Sequence, residues 1–143
     1  MSPADVDAVE AAGALFDDPA EREWARWFLD RPGHHLCIAS ENGHPAGFVS
    51  GVEMIHPDKG AEMFLYELGV LESFRRKGIG RALVAALGAR ARQLGCYGMW
   101  TLTESENQAA VATYRSAGAV DRDEEIMLTW RLDEAHRTFT DPV

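Results

Sequence analysis

The chain has 143 residues, 46% of them hydrophobic, and carries a formal net charge of −9 from 14 basic and 23 acidic side chains. That length suits one domain with one sizeable core, and no apolar run is long enough to cross a bilayer. The acidic balance excludes the broad basic face that a nucleic-acid partner needs. Met1-Ser2-Pro3-Ala4-Asp5 lacks the basic-then-apolar layout of a secretion signal, so a cytoplasmic protein is expected.

Residues 4–16 have the apolar spacing of a short amphipathic helix, with Ser2-Pro3 as a start signal and Asp17-Asp18-Pro19 as its break. A second helix is expected over 20–30, where Trp24, Trp27 and Phe28 read as core or lid packing. Residues 36–40 and 46–55 read as the two strands of a hairpin about Glu41-Asn42-Gly43-His44. The loop His56-Pro57-Asp58-Lys59-Gly60 then leads to a strand ending in Phe64-Leu65-Tyr66-Glu67-Leu68-Gly69-Val70. Gly69 inside it marks a bulge or the close approach of a ligand.

Beyond a short basic loop, Ile79, Leu83, Val84, Leu87, Ala91 and Leu94 recur at helical spacing, and Gly95 is the exit. Residues 99–103 read as the next strand, 107–118 as the next helix, and 126–132 as a last strand after the acidic turn Asp123-Glu124-Glu125. Residues 133–143 have little pattern and read as a tail. Cys37 and Cys96 have neither metal nor redox spacing and read as buried free thiols. His34 and His35, adjacent on an extended chain, point to opposite sides and make a poor metal pair, so no metal is assigned.

Four of the 14 basic residues fall within seven positions, Arg75-Arg76-Lys77-Gly78-Ile79-Gly80-Arg81, between a strand and a helix. The N–H groups at a helix N-terminus are unpaired and point outward, and glycine lets a ligand come close to them. This is the chemistry of a cradle for pyrophosphate. The dinucleotide fingerprint fails because its third glycine position is Leu83, and the P-loop pattern is absent. An acidic body with one basic pocket suits an anionic cofactor and a cationic second substrate.

Arg-x-x-Gly-x-Gly in this setting resembles motif A of the GNAT acetyltransferase superfamily. Asn107 to Gly118, read as Asn-x-x-Ala-x-x-x-Tyr-x-x-x-Gly, resembles motif B at the right order and separation. The resemblance covers residues 4–132 and implies an α/β (α+β) GNAT fold: a single mixed, mostly antiparallel twisted sheet, splayed at the cofactor strand and flanked by about four helices. A single acetyltransferase domain is expected over 1–132, with a tail over 133–143. The family's usual first strand is missing, since only Met1-Ser2-Pro3 precedes the first helix. Because that is an edge strand, its loss leaves cofactor binding intact and exposes backbone groups for a partner subunit to cover, so a homodimer is expected.

The resemblance further implies acetyl-CoA as cofactor. The backbone from Arg76 through Lys77, Gly78, Ile79 and Gly80 to Arg81 would hold the pyrophosphate, with Arg75 adding charge. Leu68, Gly69 and Val70 would contact the pantetheine arm, and Asn107 and Ala110 would line its other side. The Val70 N–H would polarise the thioester carbonyl, and Tyr114 would protonate the departing sulfur. Glu67, a carboxylate of ordinary pKa ~4.3, would orient an attacking ammonium and relay its proton.

Within the superfamily, the strand ending at Val70 and the Arg75-Arg76-x-Gly-Ile-Gly that follows are similar to the aminoglycoside 3-N-acetyltransferases, with Glu67 in place of that family's Asp. Asn42-Gly43-His44-Pro45-Ala46-Gly47 and Glu125-Ile126-Met127 are similar as well. This implies a small cationic amine as partner, an aminoglycoside, surrounded by Tyr66, Glu67, Glu104, Glu106, Asp17 and Asp18. The superfamily motifs are shared by enzymes that acetylate polyamines, amino-sugar metabolites or peptide N-termini. From a different class, a non-catalytic acyl-CoA-binding regulator is opposed by the presence of both Tyr114 and Glu67.

Overall fold

Four strands, β1 (His34–Glu41), β2 (His44–His56), β3 (Gly60–Val70) and β4 (Met99–Trp100), form one sheet in that order in the computed structural model, which describes residues 1–122. The expected strand at 126–132, the acidic turn before it, the Glu125-Ile126-Met127 likeness and the tail lie outside the described residues. β1 and β2 pair antiparallel, as do β2 and β3, while β4 runs parallel to β3. Asn42 and Gly43 join β1 to β2 at φ 52° and 80°, the left-handed pair that a two-residue hairpin turn requires.

The helices are α1 (Val6–Ala11), α2 (Arg22–Asp30), α3 (Ile79–Gln93) and α4 (Gln108–Ser116). Of the helix expected at 4–16 only the middle is α-helical; 3-10 turns at Pro3–Asp5 and Gly13–Leu15 flank it. The Ala12 N–H shares the Ala8 and Val9 carbonyls as the helix tightens. α2 starts two residues later than expected, because Glu21, its N-cap, is still extended at ψ 129°. Among the described residues no strand precedes α1, and none of the helices is long and apolar enough to cross a membrane. The Met1 ammonium instead donates to the Leu36 carbonyl of β1, at 3.0 Å.

Each face of the sheet carries its own core. Val6, Val9, Leu15, Leu29, Leu36 and Phe48 pack on the α1 and α2 side, while Val49, Met63, Leu65, Leu83, Val84 and Leu87 pack on the α3 side. Of the positions that the helical spacing predicts, α3 buries Leu83, Val84, Leu87 and Ala91, with Ile79 and Leu94 partly buried beside them. Of the aromatic face of α2, Phe28 packs partly buried against the core, but Trp24 and Trp27 are 57% and 62% exposed, and the helix buries Ala25 and Leu29. Trp27 lies instead under the Arg31 guanidinium, 4.8 Å from its ring centroid. His34 packs edge-on to Phe28 of α2, and His35 pairs with Glu53 at 2.6 Å. Cys37 and Cys96 are free thiols, partly rather than fully buried against the α3 core.

The register of β2 with β3 slips once: Gly51 faces Leu65 but Ser50 faces Glu67, which leaves Tyr66 as an extra residue. An extra residue shifts a strand's two-faced alternation by one. Met63 and Leu65 therefore lie on the α3 side, and beyond the bulge it is Leu68 and Val70 that do so, while Glu67 and Gly69 share the other face with Phe48 and Ser50. The bulge expected at Gly69 thus falls at Tyr66. Gly69 is required for another reason: a Cβ there would stand 2.6 Å from Cε1 of Phe48. Gly69→Ala is expected to destabilise the protein by about 1–3 kcal/mol through that overpacking, read as a Tm lower by several degrees in a thermal melt. An unchanged Tm would mean that the ring has room to turn aside.

β4 is shorter than the expected 99–103. Its ladder pairs Met63 with Met99 and Phe64 with Trp100, and Thr101 then donates only its side-chain hydroxyl to the Leu65 carbonyl, at 2.9 Å. The two strands part where the bulge begins, which is the splay implied by the family resemblance.

Candidate active site

Past the end of β4, the outer edge of β3 carries backbone groups with no strand partner among the described residues. The Leu71 N–H donates to the Ala46 carbonyl at 3.0 Å. Successive residues of an antiparallel strand direct their N–H and C=O alternately to one side and the other, so with Leu71 and Gly69 facing β2, Val70 and Leu68 face the outer edge, past the end of β4. Nε of Arg75 reaches back to the Val70 carbonyl at 3.2 Å.

At the end of this edge the basic loop turns into α3. Gly78, at φ 80°, is its N-cap, and the first-turn N–H groups of Ile79, Gly80 and Arg81 have no acceptor within the helix. Arg76 is also left-handed, at φ 61°, a strain of about 1–3 kcal/mol for a residue with a Cβ. A Cβ on Gly78 would meet nothing within 4 Å, whereas one on Gly80 would lie 3.1 Å from Cγ2 of Thr113. The two glycines therefore differ: Gly78 supplies the left-handed turn and leaves open space around it, and Gly80 lets α4 pack close to α3. Lys77 is drawn to Glu41, 2.7 Å away. Arg76 and Arg81 are exposed and have no acidic partner among the described residues.

α4 begins at Asn107, whose Oδ1 accepts the Ala110 N–H at 3.1 Å, a side-chain cap. Further along, Tyr114 is half-buried against the α3 core. Burial pushes its hydroxyl pKa up, and the Thr101 hydroxyl beside it offsets part of that shift. Tyr114 thus keeps its proton through neutral pH and can donate it.

On the opposite face, Glu67 and Phe48 line two cavities of about 280 and 230 Å³. The larger continues under α2 past Phe16, Trp24, Phe28 and Leu36; the smaller includes Leu15, Asp17, Leu68 and Gly69. Ser50, only 2% exposed, donates its hydroxyl to Oε2 of Glu67 at 3.2 Å. Desolvation pushes the Glu67 carboxyl up, the Ser50 hydrogen bond pulls it part of the way back, and the charge of Asp17 raises it again. The result is a carboxylate more basic than an ordinary surface glutamate.

Of the residues expected around an acceptor, the structure brings Glu67, Asp17 and Asp18 to these cavities. Tyr66, 61% exposed on the bulge beside Phe64, lines neither, and nor do Glu104 and Glu106, exposed in the loop before α4. Sequence reasoning missed Phe48, Ser50 and Thr101. The available signal was Ser50 itself, a lone hydroxyl closing the apolar run Ala46-Gly47-Phe48-Val49 of β2.

The sequence matches the acetyltransferase (GNAT) family over residues 6–119. The chain belongs to the GNAT family. It is 32% identical over 91 residues to YdgE, an uncharacterized N-acetyltransferase of Bacillus subtilis, across 62% of this chain and 57% of that one. The chain spans about half the length of the curated relatives it matches. Among solved structures, an aminoglycoside acetyltransferase from an uncultured soil metagenomic sample, in complex with sisomicin, is similar at a TM-score of 0.84 and 15% identity, over 93% of each chain. An aminoglycoside N-acetyltransferase, AAC(6')-Iy, in complex with CoA is similar at a TM-score of 0.75 and 22% identity, over 92% of this chain and 91% of that one. At these identities the likeness shows the GNAT fold. Acetyl-CoA is the cofactor of GNAT enzymes, and the donors present fit it: an open helix N-terminus flanked by unpaired arginines suits its phosphates, and a free strand edge suits its amide-bearing arm.

Proposed function

We propose that this protein transfers the acetyl group of acetyl-CoA to a primary amine by direct attack in a ternary complex. The observation that carries this reading is Glu67: the bulge at Tyr66 turns it onto a cavity face, next to the strand edge where Val70 offers a free N–H. Acetyl-CoA supplies the acyl group as a thioester. Leu68, Gly69 and Val70 hold its arm, and the first turn of α3, with Arg76 and Arg81, holds its phosphates. Asn107 and Ala110 flank the arm from α4. Glu67 binds the ammonium and relays its proton, the Val70 N–H stabilises charge developing on the carbonyl oxygen, and Tyr114 holds a proton for the leaving sulfur.

As acceptor we propose an aminoglycoside first. The net charge of −9, the cluster of Glu67 with Asp17 and Asp18, and the fold shared with aminoglycoside acetyltransferases support it. CoA release with a panel of aminoglycosides and polyamines, with mass spectrometry of the products, tests the reading. Acetylated aminoglycoside is the expected product. Release with polyamines alone would move the acceptor to that class, and acetyl-CoA binding without release on any amine would leave the non-catalytic regulator.

Tyr114→Phe removes one hydroxyl and little packing. It is expected to keep acetyl-CoA affinity and slow turnover at least about tenfold, below the ~10²–10⁴ that general acid catalysis reaches, because a thiolate leaves readily. A rate within about twofold of wild type would show that the sulfur needs no help from Tyr114.

A further inference from the structure

The larger cavity beside Glu67 is mostly apolar: Phe16, Trp24, Phe28, Leu36 and Phe48 make much of its wall, with the carboxylates of Asp18 and Glu21 beside that of Glu67. The Ser50 hydroxyl that reaches it is given to Glu67. A single ammonium is served well there. It meets the Glu67 carboxylate, and whatever it is attached to meets apolar surface. At about 280 Å³ the space falls just below the ~300–1,000 Å³ of drug-sized sites, so its occupant is compact. Glu67 and Phe48 belong to both cavities, and the smaller one reaches Leu68 and Gly69 on the acetyl-donor strand. An amine at Glu67 with its body under α2 therefore presents its nitrogen toward that strand.

We infer that the cavity under α2 binds apolar surface next to the acceptor's reacting nitrogen, so that simple primary amines on a compact aliphatic or aromatic arm are substrates and improve as that arm fills it. This rests on the amine acetyltransferase reading but not on the aminoglycoside acceptor. Trp24, more than half exposed at this cavity, becomes the side chain that a bound arm covers.

The test is steady-state CoA release by the full chain with ethylamine, butylamine, hexylamine, 2-phenylethylamine, spermidine and sisomicin. kcat/KM is expected to rise roughly three- to fourfold per methylene buried along the alkylamine series, with 2-phenylethylamine well above ethylamine. Trp24→Ala should lower hexylamine kcat/KM about fivefold more than that of ethylamine, with a thermal melt confirming that the variant is folded. Ala20→Phe, which fills the cavity, should penalise the longer amines more still. A flat alkylamine series overturns the inference and leaves acetyl transfer standing. A rising series untouched by both variants also overturns it, since the arm then binds elsewhere. Acetyl-CoA binding with no turnover of any amine overturns the acetyltransferase reading itself, and the inference falls with it.

Discussion

Glu67→Gln is expected to cut amine turnover about 10²–10⁴-fold while leaving acetyl-CoA affinity within about threefold. The change keeps the shape of the side chain, and its remaining carbonyl oxygen can still accept the Ser50 hydroxyl, so only charge and basicity are lost. In the wild type, added salt should raise the KM of a cationic amine by screening the carboxylate cluster. Because desolvation raises the Glu67 pKa, the acid limb of kcat/KM should lie above the ordinary glutamate value of ~4.3. The same shift has a stability consequence of definite sign. A carboxyl whose folded pKa is raised binds its proton more tightly in the folded protein, so its contribution to stability is complete below the unfolded pKa and is lost as pH rises through the folded one. Glu67→Gln should therefore melt above wild type at pH 7, and the difference should fade as the pH approaches ~4. Kinetics at two ionic strengths and melts across pH check these outcomes. Full activity in the variant would remove Glu67 from the chemistry.

Gly78→Asp is expected to weaken acetyl-CoA binding about 100-fold or more, equivalent to ~2.7 kcal/mol. A Cβ at this position enters open space at the N-terminus of α3, and a carboxylate there would stand at the proposed phosphate cradle and would compete for the same N–H groups. The residue is left-handed, at φ 80°, so any side chain adds strain; Asn and Asp tolerate that region better than other side chains. Gly78→Asn is the control, having the same strain and no charge, and it should lose about tenfold less affinity than the Asp variant. Calorimetric titration of both separates the effects. Equal affinities for the two variants would mean that backbone geometry, not charge, limits binding, and wild-type affinity in Gly78→Asp would place the phosphates elsewhere.

What could be read along the chain was what neighbouring residues decide among themselves. The Asn42-Gly43 hairpin follows from φ preferences at two positions, and α3 from apolar side chains at helical spacing. Glycines and arginines at the start of that helix suggested the proposed cradle, and the two spaced motifs carried the family. None of these depends on what a distant segment contributes. The expected first helix was too long because its ends tighten into 3-10 turns closed by local bonds, and β4 was too generous because the Thr101 hydroxyl takes the Leu65 carbonyl at the start of the bulge.

The tertiary structure decided the rest, since it alone brings distant side chains together. Tyr66 became the extra residue, and that one-position slip put Glu67 on the cavity face with Phe48 and Ser50. Gly69 proved to make room for the Phe48 ring and Gly80 for Thr113, tasks set by residues 21 and 33 positions away along the chain. Trp24 and Trp27, apolar enough by type for a core, stayed exposed because Ala25 and Leu29 already fill the face of α2 that meets the sheet. The raised pKa of Glu67 also belongs to the folded state, for it comes from desolvation by groups on other elements. Local conformational preference and periodicity are properties of a stretch of chain; register, packing clearance and desolvation exist only between stretches, and they determine which carboxylate lines the cavities.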